Sequence, residues 1–204
     1  LRSETVVPGD VVLALSSSGL HSNGFSLVRK IVADAGWSYD TEIPDFSGPL
    51  GVELLEPTRL YTKALVGVLS AHPGAIRVLS HVTGGGIAQN LSRVLPPHVA
   101  VDVDRSTWTP TPIMQVLARA AGFDLERVED TWNMGIGMLA VVDQARAADI
   151  TQALENSGHT TWQVGEVREI SAADHEGAVT SAKGVEGGAV TLVSGYADSS
   201  SARS

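Results

Sequence analysis

Cysteine is absent from this chain of 204 residues, which excludes disulfides, thiolate chemistry and cysteine metal sites. That absence is compatible with a cytoplasmic setting. Runs of Lys and Arg are missing as well. With 14 Lys and Arg against 23 Asp and Glu, a formal net charge of −9 and a pI near 5.0, neither nucleic acid nor an anionic membrane is an expected partner. No apolar run is long enough to span a bilayer, and no signal-peptide pattern is visible. What remains, 43% hydrophobic and 18% charged residues, suits one globular domain, or a domain plus a tail.

The most informative stretch is Ser16-Ser17-Ser18-Gly19-Leu20-His21-Ser22-Asn23-Gly24-Phe25-Ser26-Leu27. It follows an apolar run at 11–15 and opens onto a helical pattern over 25–35, so it reads as strand, loop of small residues and helix start. Such a junction turns backbone N–H groups toward an anion at the positive end of a helix dipole. A plain turn needs Gly and Asn, but it does not need His21 and the serines too. A second junction of this kind joins a strand at 76–82 to a helix through Thr83-Gly84-Gly85-Gly86. Neither loop matches Gly-x-x-x-x-Gly-Lys-Ser/Thr or Gly-x-Gly-x-x-Gly, and their glycines could serve only tight turns. His21 and His81 lie in these two loops, where an imidazole can donate to a phosphate or move a proton near neutral pH.

Strands are further expected at 99–103, 139–142 and 160–167, and helices at 87–95, 111–121 and 145–156. A helix opening at Glu56-Pro57-Thr58 would bring Thr58, Thr62 and Lys63 together, although Thr58 could be only a cap and Lys63 only a surface charge. The long connection over 37–54 reads as a loop that packs over a site. Asn133-x-Gly135-x-Gly137 precedes a buried strand; it is either a turn with a bulge or a close approach to a ligand read by Asn133. Asp102 and Asp104 alternate on a strand, too few carboxylates for a metal site, and no metal-binding residues are assigned. The alternation of elements predicts an α/β (α+β) layered sheet, and the last β–α–β portion could make that sheet mixed and partly ferredoxin-like. Residues 1–169 are expected to form the domain. Residues 170–204 are expected to be a low-complexity tail with one strand candidate at 189–193 and a disordered end at 198–204. The chain opens on Leu1, a few residues before a core strand, and is expected to be a piece of a longer protein.

Taken in order, PGDVVLALSSSGLHSNGFSLVRK, EPTRLYTK, HVTGGG and TWNMGIGM resemble the C-terminal half of the phosphoribosylformylglycinamidine cyclo-ligase (aminoimidazole ribonucleotide synthetase) family over about residues 5–168. Leu60 and Thr62 depart mildly from a more usual Ile and Val. The resemblance implies a ligase of purine biosynthesis that uses ATP and Mg2+ to close the imidazole ring of formylglycinamidine ribonucleotide. It implies activation of the formyl amide oxygen by phosphoryl transfer, attack by the amidine nitrogen and loss of phosphate. It also implies a three-layer α/β/α domain with a mixed, partly ferredoxin-like sheet, a homodimer, and an N-terminal domain, absent from these residues, that carries most ATP and metal contacts. The other readings are a further enzyme of the same ATP-dependent superfamily, such as formylglycinamidine ribonucleotide synthetase or selenophosphate synthetase, and a non-catalytic binding module. On the family reading, His21 is the expected catalytic residue. Ser18, Gly19, Ser22, Asn23, Gly24, Thr58, Lys63, Thr83, Gly84, Gly85, Gly86, Asn133 and Gly135 are the expected substrate-binding residues.

Overall fold

The computed structural model describes residues 1–175, 177–182 and 184–197. The strand β1 (Val11–Ser16) shows why the chain builds layers. Val12 and Ala14 join one apolar cluster, whereas Val11, Leu13 and Leu15 join another on the opposite face. A strand buried on both faces reads as a continuous apolar run, and complete burial of each Leu or Val contributes about 2 kcal/mol. Around it runs a seven-stranded sheet in the order β2-β4-β1-β5-β3-β7-β6. Its other strands are β2 (Ile76–His81), β3 (Val99–Asp104), β4 (Ile136–Val142), β5 (Thr161–Glu169), β6 (Val179–Ala182) and β7 (Val185–Val193). All neighbours pair antiparallel except β3 and β7, so the sheet is mixed.

One face is covered by α1 (Phe25–Asp34), α2 (Leu50–Leu54), α4 (Gly86–Ser92) and α5 (Pro112–Ala121), the other by α3 (Thr62–Ala71) and α6 (Ala147–Asn156). This is the expected three-layer α/β/α arrangement. Local chemistry sets the helix ends. In α5, Pro112 occupies the first turn, where its missing N–H costs nothing, and Gly122 stops the helix in the left-handed region at φ 64°. A partly buried ion cluster ties β2 to the ends of β1 and β4: Arg77 on β2 bridges Asp10, which is 3% exposed, and Asp143.

Three expectations need correction. The helix expected to open at Glu56–Thr58 opens at Thr62. The reason is tertiary: Pro57 O accepts from Ser18 Oγ at 2.6 Å and the Arg59 amide donates to His21, so this backbone is held away from helical bonding. The connection over 37–54 contains α2. The segment read as a tail with a strand candidate at 189–193 supplies β6 and the longer β7, and β7 lies parallel to β3. The two glycines inside β7, Gly187 and Gly188, are demanded by packing: a Cβ on Gly187 would overlap the Ser92 carbonyl, and one on Gly188 would lie 2.8 Å from Val99 O. Residues 198–204, expected to be disordered, lie outside the described residues.

Candidate functional site

The topology gathers the sequence motifs at one end of the sheet. Because β4 runs antiparallel between β1 and β2, the C-terminal ends of β1 and β2 point the same way, beside the N-terminal end of β4. The register places Ser16 opposite Ile136 and His81 opposite Met138, while Leu15 faces Thr161 at the start of β5. The loops 17–24, 82–86, 133–135 and 158–160 therefore share one rim.

His21 is the hinge of the first loop. It takes φ 55°, a left-handed conformation that is uncommon outside Gly and to which Asn, Asp and His are the best suited, and is 6% exposed. Its Nε2 accepts from the Ser18 amide at 3.3 Å and the Arg59 amide at 3.4 Å. Those bonds leave Nε2 without a proton and put it on Nδ1, which is buried and has no partner among the described residues. Burial, followed by the positive charges of His81 and Arg59, lowers the ring's pKa from 6.5 to about 4. His21 is thus neutral at pH 7 and ties loop 17–24 to the 57–59 segment.

Tyr61 sits at the centre of the rim. Its hydroxyl donates to Ser16 O at 2.8 Å, and its ring stacks on His159 at 5.3 Å, with His21 at 6.3 Å and His81 at 6.4 Å. Burial pushes the phenol pKa up and, with the nearby Arg59 charge, pushes that of His159 down. Gly137 makes room for this cluster: a Cβ there would overlap the Tyr61 hydroxyl and lie 2.7 Å from His21 Cε1.

Asn133 is fully buried and acts as a strut. Its Oδ1 accepts from Ser17 Oγ at 3.1 Å and from the Gly135 amide at 2.9 Å, and its Nδ2 donates to Gly19 O at 2.9 Å. Gly24 begins α1 at φ 70°, and a Cβ on it would lie 2.6 Å from the Trp132 indole. In the second loop the Gly85 amide already donates to Asp130 O at 2.9 Å and the Gly86 amide to Thr83 O at 3.0 Å. A Cβ on Gly86 would overlap the Glu129 carbonyl. The Thr83 hydroxyl donates to Asn90 Oδ1 at 3.2 Å.

The expected residues therefore divide. Gly19, His21, Gly24, Gly85, Gly86, Asn133 and Gly135 make or make room for contacts that hold the loops. Ser22 and Gly84 are exposed, and Ser18, Asn23, Thr58 and Thr83 are half-buried on the rim. Lys63 is exposed and lines a groove of about 600 Å³ between α3 and α6 with Leu60, Ala153 and His159, on the flank of the rim. Sequence reading missed Tyr61, Trp132 and His159, whose partners lie far off in sequence. The carboxylates read as weak metal candidates are otherwise engaged: Asp102 pairs with Arg168 at 3.0 Å and Asp104 caps Ser106. Among the described residues no three His, Asp or Glu side chains converge as a metal site.

The family model described as AIR synthase related protein, C-terminal domain, matches residues 7–174. The chain belongs to that family. It is 42% identical over 163 residues to the phosphoribosylformylglycinamidine cyclo-ligase of Aromatoleum aromaticum, covering 79% of this chain and 46% of that one. Against the protein of that name from Bacillus licheniformis the identity is 40% over 169 residues, covering 82% and 48%. A Streptomyces fradiae protein provisionally given the same name is 44% identical over 160 residues, and there the match covers 78% of this chain and 87% of the relative. The chain thus spans about half the length of the first two relatives. The fold is shared with the thiamine-monophosphate kinase of Stenotrophomonas maltophilia (TM-score 0.57, 17% identity, 97% of this chain and 54% of that one). It is shared too with the E. coli hydrogenase maturation protein HypE (TM-score 0.52, 18% identity, 94% and 48%). Among the described residues, no helix is long and apolar enough to cross a membrane.

Proposed function

We propose that these residues are the substrate-side half of a cytoplasmic, homodimeric cyclo-ligase that converts formylglycinamidine ribonucleotide and ATP to aminoimidazole ribonucleotide, ADP and phosphate. The observation that carries this reading is the 40–42% identity, over about four-fifths of the chain, to relatives bearing that name. The rim geometry supports it. A ribonucleotide needs hydroxyl, amide and backbone donors in one place, and an acidic chain can offer them without a basic patch.

The residues present do not fit a nucleotide triphosphate or its Mg2+. Neither glycine loop has the phosphate-loop pattern, the Gly85 and Gly86 amides are engaged, and no carboxylate cluster converges among the described residues. On this reading ATP and Mg2+ belong to the half of the relatives that lies outside the match. Ser22, Asn23, Thr58, Thr83 and Gly84 contact the substrate, with Ser18 at the loop base and Lys63 on the flank. Asn133, Gly135 and Tyr61 set the loop positions. His21, expected from sequence to be catalytic, contributes as a neutral ring that orients the first loop.

The test is ADP release by the full-length protein given formylglycinamidine ribonucleotide, ATP and Mg2+ without glutamine or ammonia. Substrate-dependent ADP together with a ring-closed product is expected. Turnover only with a different acceptor would keep the family and discard the substrate.

A further inference from the structure

We infer that the segment 194–197 beyond β7 is a clasp that positions both loops of the candidate site, with Tyr196 and Glu129 as its positioning residues. The inference rests on the reading that loops 17–24 and 82–86 form the ligand site. This segment lies outside the matched residues 7–174 and carries no motif. Its contacts nevertheless lead to the rim through single intermediates, Glu129 on one side and Trp108 on the other.

The first arm reaches the glycine loop. Glu129 is 8% exposed, and a buried carboxylate must be matched by donors. It is matched by Arg105, whose NH2 donates to Oε2 at 2.9 Å, and by the Tyr196 hydroxyl, which donates to Oε1 at 2.6 Å. Arg105 NH1 donates in turn to Leu192 O at 2.7 Å and Ser194 O at 3.1 Å, and its guanidinium lies 5.9 Å from the Tyr196 ring centre. Ser194 takes φ 62°, a left-handed turn just after β7. The backbone of the same Glu129–Asp130 pair holds the glycine loop, through Asp130 O to the Gly85 amide and through the Glu129 carbonyl packed on Gly86.

The second arm reaches the first loop. The Ala197 amide donates to Trp108 O at 3.2 Å, and Thr109 Oγ1 donates to Ala197 O at 3.1 Å. The Tyr196 ring meets Trp108 edge-on at 5.4 Å. The Trp108 indole N–H donates to Met134 O at 2.9 Å, and the residue before Met134 is the strut Asn133, bonded to Ser17 and Gly19. Four residues thus back both loops through carboxylate, indole and amide groups whose geometry allows little slack.

The experiment compares full-length wild type with Tyr196→Phe and Glu129→Gln. It measures amide hydrogen exchange by NMR at Gly85, Gly135 and, as a core reference, Leu13, together with steady-state kinetics on formylglycinamidine ribonucleotide. Tyr196→Phe removes one oxygen and keeps the ring, so folding is preserved; Glu129→Gln keeps an acceptor but loses the charge. Exchange at Gly85 and Gly135 is expected to rise about tenfold in both variants with Leu13 unchanged, since local opening is separable from global unfolding. KM for the ribonucleotide is expected to rise about tenfold with kcat within about twofold. Unchanged exchange at Gly85 and Gly135, an equal rise at Leu13, or an unmoved KM in an active protein would overturn the clasp. If wild type does not turn over this substrate, the proposed function falls and the exchange comparison alone decides the clasp.

Discussion

Protonating His21 has to break what its ring holds together. Nε2 is the acceptor for two backbone amides, so a proton placed there would face two N–H donors inside a nearly closed site. Burial, then His81 and Arg59, hold the folded pKa at about 4, whereas the unfolded chain binds the proton near 6.5. Between these values the unfolded state carries more protons, so stability rises with pH. The contribution is whole above about pH 6.5 and is lost as pH falls toward about 4. The full shift corresponds to about 3 kcal/mol, of which about 2 kcal/mol is gone by about pH 5. His159 moves in the same direction, so the wild-type curve alone would mix the two rings. His21→Gln separates them, because a glutamine oxygen can accept from the same amides and does not titrate. Urea unfolding of both proteins at about pH 7.5 and about pH 5 is expected to show wild type losing about 2 kcal/mol more than the variant. Parallel losses would refute the assignment of a buried, neutral, amide-bound ring.

Asn133→Ala strands Gly19 O, the Ser17 hydroxyl and the Gly135 amide in a fully buried position; a loss of about 3 kcal/mol is expected in urea unfolding. Asn133→Asp should not restore it, because a carboxylate cannot donate to Gly19 O. Gly137→Ala is expected to lower Tm by driving a methyl into the Tyr61 hydroxyl, and adding Tyr61→Phe should recover part of the loss; no recovery would place the clash elsewhere. Arg77→Met leaves the buried Asp10 carboxylate without its guanidinium, and a cost of about 3 kcal/mol or more is expected in the same assay.

The layers of this fold were legible because β1 alternates between two apolar clusters and because Pro112 and Gly122 mark helix ends through purely local chemistry. The false helix start at Glu56–Thr58 shows where local signals fail. Pro57 is acceptable in a first helical turn, but Ser18 and His21, 39 and 38 residues away, bond the same backbone and win. The tail misled for a similar reason: β7 is Gly-rich because Ser92, Leu95 and Val99 press on its backbone, and composition reads that as low complexity.

The glycine loops carry the same lesson into the site. Their small residues suggest a bed of open amides for an anion. In the fold, Gly24 is small because Trp132 lies on it, and Gly86 because the Glu129 carbonyl does. Both partners come from one segment, 129–132, more than forty residues beyond the second loop, so no local pattern could have named them. Gly24, Gly85 and Gly86 thus also serve as a seat for that segment. On the proposed reading, the surface left for a substrate is narrower than the motifs suggest, and it lies at Ser22, Asn23, Thr58, Thr83 and Gly84. If a ligand reached Gly85 or Gly86 through its amides, it would first have to displace Asp130 O or Thr83 O. Binding would then open the 82–86 loop rather than close it, and exchange at the Gly85 amide on adding formylglycinamidine ribonucleotide distinguishes the two: slower exchange fits a loop that stays seated on Asp130, and faster exchange would mean that the loop had moved.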